Sequence, residues 1–140
     1  MTKATSYAND AADQDLQNGA SGTYTVGSTT YTLPDRLCFL STVETAGTPG
    51  TEWATSGGYT AGGVSLAGLA TVAASAGSKA NTGAVSVSNA PAGTWADNRI
   101  QDSSGTPKRK VFRGGSSLAK TVNAGDSCVV PIGSLTVSEA

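Results

Sequence analysis

Histidine is missing from this chain. Its absence removes the commonest general base, the commonest metal ligand and any Ser-His-Asp triad. Charge is scarce as well: 14% of residues are charged and the formal net charge is −1. A general nucleic-acid binder carries a clear basic excess, so this balance argues against nucleic acid as a partner. Large apolar side chains are few. Leu, Val, Ile and Phe make up 23 of 140 residues, about 16%, below the roughly 20% that marks a confident globular core. Disorder usually pairs weak hydrophobicity with strong self-repulsion, and the low net charge speaks against it. The composition fits a lean β domain that gains stability from identical copies or from a larger partner. No run approaches the roughly 20 apolar residues of a membrane span, so no membrane partner is expected. The polar N-terminus, MTKATSYANDAADQD, shows no signal peptide, which predicts synthesis in the cytosol. Cysteine occurs twice, at Cys38 and Cys128, each in an apolar strand-like run. Two buried free thiols are expected, since free Cys behaves as a small hydrophobe. A disulfide would need maturation in an oxidising compartment.

What is present points to one domain of mainly β structure. Residues 1–22 read as an N-terminal helix or arm, and residues 23–140 as a single β domain. Within the arm, Ala4, Tyr7, Ala8, Ala11, Ala12 and Leu16 fall near one face at helical spacing, and Asn18-Gly19 is a stop signal. Thr23–Leu33 reads as a hairpin with Gly27-Ser28 at its turn, which would set Tyr24 opposite Tyr31. Arg36–Val43 is the most apolar short run of the first half and reads as a central strand. A Gly/Thr/Pro/Ser-rich loop, residues 46–63, holds Trp53 and Tyr59. Trp53 either pins this loop to the domain or offers an aromatic contact to a partner, as interface aromatics do. Residues 61–93 are almost all small, with strands expected near 62–67 and 83–88. Trp95–Asp102 reads as a strand, and residues 103–107 as a loop into Lys108–Phe112. The last third organises the rest. Its alternating Cys128, Val130 and Ile132, with a turn at Asn123–Asp126, reads as a meander ending on a buried strand. The tally of about eight strands predicts an antiparallel β-sandwich or jelly-roll-like barrel with a short N-terminal helix.

No motif carries catalysis. There is no G-x-S-x-G elbow, no phosphate loop and no calcium array. Asp97 and Asp102 sit five apart on one strand and would face opposite ways, unlike a glycosidase pair. Neither an enzyme nor a cofactor is expected. The sharpest cluster is basic: Lys108, Arg109, Lys110 and Arg113, with Arg99 on the strand expected beside them. It is either a solvated strand edge or a docking site for an acidic protein surface. Single-stranded nucleic acid would require interleaved aromatics, which are absent here.

Three stretches in order carry a family resemblance: SYANDAADQDLQNG, RLCFLSTVETAGTPGTEWATSGGYTAGGVSL and KTVNAGDSCVVPIGSLTVS. Together they resemble a family of small virion structural proteins of tailed bacteriophages. Lys120–Val137 is the most specific part, followed by Ser56-Gly57-Gly58-Tyr59. The family's His-Thr-Ala-Asp stands here as Ser41-Thr42-Val43-Glu44. The resemblance implies location in the virion after synthesis in the host cytoplasm. It implies a capsid decoration (cement) protein or a minor tail or tail-fibre component. The expected partners are the major capsid protein and further copies of this chain, as a homotrimer or another oligomer. The candidate contacts are Tyr7 and Leu16 on the arm, Trp53 and Tyr59 on the loop, and Arg99, Lys108, Arg109, Lys110 and Arg113 in the basic cluster. A surface module for carbohydrate or a host receptor, built on Trp53, is a further reading.

Overall fold

The computed structural model describes residues 23–26, 28–32, 34–45, 47–66, 78–102, 111–113 and 119–138. The expected N-terminal helix lies outside them, as do the 103–107 loop and Lys108–Lys110. The described residues form twelve short strands in antiparallel pairs and no helix. Thr23–Val26 (β1) and Thr29–Thr32 (β2) make the expected hairpin, and its register sets Tyr24 opposite Tyr31.

Pro34–Leu40 (β3) is central, as its apolar run implies. It lies between Val64–Ser65 (β4) and Asp97–Asp102 (β8), and β8 pairs in turn with Val111–Arg113 (β9). Leu37, Cys38, Phe39 and Leu40 are all fully buried. A strand that is apolar on both faces must be covered on both faces, and that is why β3 sits inside. Leu37 and Phe39 enter the main core with Ile100 of β8. Cys38 lies opposite Arg99 on the other face, beneath the 41–63 loop.

The core is lean but concentrated. The ring of Phe39 lies 5.3 Å from Trp53, 5.9 Å from Tyr59 and 5.1 Å from Trp95. Trp53 and Tyr59 meet edge to face at 5.6 Å. Each aromatic ring buries about 150–250 Å², so four rings in one cluster offset the shortage of Leu and Ile.

The C-terminal third is not a meander. Lys120–Val122 (β10), Cys128–Val130 (β11) and Thr136–Ser138 (β12) do not pair with one another. They pair in reverse order with Gly93–Trp95 (β7), Val85–Val87 (β6) and Ser78–Ala80 (β5). Residues 78–95 and 120–138 therefore form one interrupted antiparallel ribbon. Two turns, Asn123–Asp126 and Pro131–Ser134, kink it without reversing the chain. They stand eight residues apart, each with a positive-φ glycine in third place, Gly125 and Gly133. Glycine takes that conformation at no steric cost. Each turn is tied by two backbone bonds to one residue across the ribbon. Ala90 N–H donates to the Asp126 carbonyl (2.8 Å) and Gly125 N–H to the Ala90 carbonyl (3.0 Å). Asn81 N–H donates to the Leu135 carbonyl (3.0 Å) and Gly133 N–H to the Asn81 carbonyl (2.8 Å). Turn chemistry read locally suggests reversal. These long-range bonds keep the chain on course.

One ribbon face is buried through Val85, Val87, Val122, Cys128, Val130 and Val137. The other exposes Ser86, Thr121, Val129 and Thr136. The two strands expected near 62–67 and 83–88 are present as β4 and β6, which pair with β3 and β11, and β5 lies in the small-residue tract between them.

Candidate functional site

The 41–63 loop wraps the end of β3 and builds the two features with chemical content. Trp53 N–H donates to the Phe39 carbonyl at 2.9 Å, so the middle of the loop lies alongside the end of β3. The Trp53 indole N–H donates to the Thr94 carbonyl at 2.8 Å and ties the loop to β7. Gly58 N–H donates to the Asn89 carbonyl at 2.7 Å. Asn89 itself has φ +55°, a conformation that Asn adopts more readily than most residues.

The first feature is a charge cluster beneath the loop. Arg99 donates through Nη1 to Glu44 Oε2 at 2.8 Å and through Nη2 to Glu52 Oε2 at 3.4 Å. Its Nε donates to Gln101 Oε1 at 3.1 Å. Glu44 has no exposed side-chain surface. Its Oε2 also accepts from Gly50 N–H at 2.9 Å, and its own N–H donates to Asp97 Oδ2 at 3.1 Å. Glu52 Oε1 accepts from Tyr59 Oη at 2.7 Å and from Gly62 N–H at 2.6 Å. Phe39 N–H donates to Tyr59 Oη at 3.3 Å. Two carboxylates thus share one guanidinium in a site largely closed to water. Removing either partner would strand a buried charge.

Cys38 borders this cluster. Burial, then the negative charge of Glu52, pushes its thiol up to about 12. A thiol held that high is protonated at neutral pH and is a poor nucleophile. Burial and the hydrogen bond to Glu52 likewise push the Tyr59 hydroxyl well above its usual range. Cys128 is raised as well, first by burial and then by Asp126. Both cysteines are buried and free, the simpler of the two arrangements their surroundings suggested. The cluster holds a loop in place and offers no activated nucleophile.

The second feature is a groove of about 590 Å³ between residues 53–57 and 89–94, with Ala124 at one end. Trp53 lines it together with Ser41, Ser56 and Thr94. Glu52 is the one charged residue lining it, and that carboxylate is engaged with Tyr59, Gly62 and Arg99. A second depression of about 570 Å³ is lined by Arg36, Gly58 and residues 60–65.

The structure brings together three of the residues singled out in the sequence. Trp53 and Tyr59 meet in the aromatic core, and Tyr59 reaches Arg99 through Glu52. Trp53 is 6% exposed and Tyr59 1%, so both pin the loop from inside. Arg99 lies opposite Arg113 in the β8–β9 register, as the expected strand pairing implies, but its guanidinium turns toward Glu44 and Glu52. Tyr7, Leu16, Lys108, Arg109 and Lys110 lie outside the described residues, as does the side chain of Arg113. Among the described residues, no group of three or more Cys, Asp or Glu is placed to hold a metal ion. No helix there is long and apolar enough to cross a membrane.

Sequence reasoning missed Glu44 and Glu52. A signal was present: they are the only charged residues between Arg36 and Lys79. Isolated carboxylates in a long uncharged stretch call for a cationic partner when that stretch folds inward.

Comparison with known proteins returns no matching family model, no matching curated protein and no matching solved structure.

Proposed function

We propose that this chain is a bacteriophage virion structural protein, a capsid decoration (cement) protein that binds the outer surface of the major capsid protein shell and stabilises it. One observation supports the reading most. The two most specific parts of the family resemblance, Ser56–Tyr59 and Lys120–Val137, meet on one short segment. Asn89 accepts from Gly58, and the adjacent Ala90 exchanges bonds with Gly125 and Asp126. The shared residues therefore serve one structural unit. In this reading the strands close as a sandwich or jelly-roll-like barrel. The arm with Tyr7 and Leu16, and the basic cluster at Lys108, Arg109, Lys110 and Arg113, contact the shell. The protein acts by binding rather than by catalysis. A lean core with a neutral, Ser/Thr-lined outer ribbon face suits a domain that completes its stability against neighbours.

The test is copy number. Virions are purified and this chain is quantified against the major shell protein by calibrated mass spectrometry. A ratio near one to one, or a simple fraction of it, is expected. A few copies per particle would overturn decoration and favour a minor tail component acting in host attachment.

A further inference from the structure

We draw no further inference here: the strongest candidate, the open groove between residues 53–57 and 89–94, is lined by apolar and neutral polar groups with one carboxylate already engaged inward, and nothing in the structure shows what covers it.

Discussion

Gly58 donates its backbone N–H to the Asn89 carbonyl at 2.7 Å, and the approach leaves no space for a side chain. A Cβ on Gly58 would overlap the Ser88 carbonyl oxygen, a backbone atom that cannot swing aside. Gly57 is under a double constraint, with φ +58° and the Asn89 carbonyl close by. Gly58→Ala is therefore expected to destabilise the fold by about 1–3 kcal/mol, read as a lowered urea midpoint. Gly47→Ala, where no atom lies within 4 Å, is the control and should change little.

Arg99 serves two carboxylates. Arg99→Met should cost about 3 kcal/mol, the low end of the roughly 3–5 kcal/mol for breaking a buried pair. Arg99 retains some exposure, which is why the low end applies. Combining Arg99→Met with Glu44→Gln and Glu52→Gln should recover much of the loss, because no charge is then left unpaired. Chemical denaturation of the two variants side by side checks this. A triple variant weaker than Arg99→Met would refute the shared-charge account.

Asn81 stitches the ribbon where its strands are interrupted. Its Nδ2 donates to the Gly83 and Pro131 carbonyls, both at 2.8 Å, and its Oδ1 accepts from Leu135 N–H at 2.9 Å. Asn81→Ala forfeits three bonds in a buried site and should cost about 2–4 kcal/mol. Asn81→Asp is nearly isosteric, yet a carboxylate cannot donate to two carbonyls. It should not rescue the stability, as thermal melts at neutral pH would show.

The buried thiol of Cys38 makes stability fall at alkaline pH. Its pKa is about 9 in the absence of structure and about 12 in the fold. The unfolded chain therefore sheds that proton first. Stability is full below about pH 9 and declines as pH rises toward 12. Tyr59 and Cys128 are raised too and act in the same direction. Urea midpoints measured from pH 8 to pH 11 should fall, with a shallower slope in Cys38→Ala. Cys38 should also resist alkylation at pH 8 until the chain is unfolded.

Local signals in the sequence located the elements that form by local rules. The Thr23–Leu33 hairpin follows from its turn residues. The β3 strand follows from an apolar run too long to leave exposed. What the sequence concealed was pairing. Asn123–Asp126 and Pro131–Ser134 have the chemistry of reversals, and bonds to Ala90 and Asn81, 35 and 52 positions from Gly125 and Gly133, keep the chain from reversing. The strand β5 was invisible because Ser78-Lys79-Ala80 has no apolar alternation of its own. It exists because β12 pairs with it. The charge cluster is half legible: Arg99 stands out as part of a basic patch, while its partners Glu44 and Glu52 are isolated acids that only the fold brings to it.

The nested pairing of residues 78–95 with 120–138 also sets an order of assembly. Trp95 and Lys120 are 25 positions apart, whereas Ala80 and Thr136 are 56 apart. The entropic cost of closing a loop rises with its length, so the ribbon gains most by closing near Trp95 and zipping outward, with β5 and β12 last. During synthesis, Val85 and Val87 must wait for Cys128 and Val130 to be made. Until then an apolar face has no mate, and that interval is when the nascent chain is most open to wrong partners.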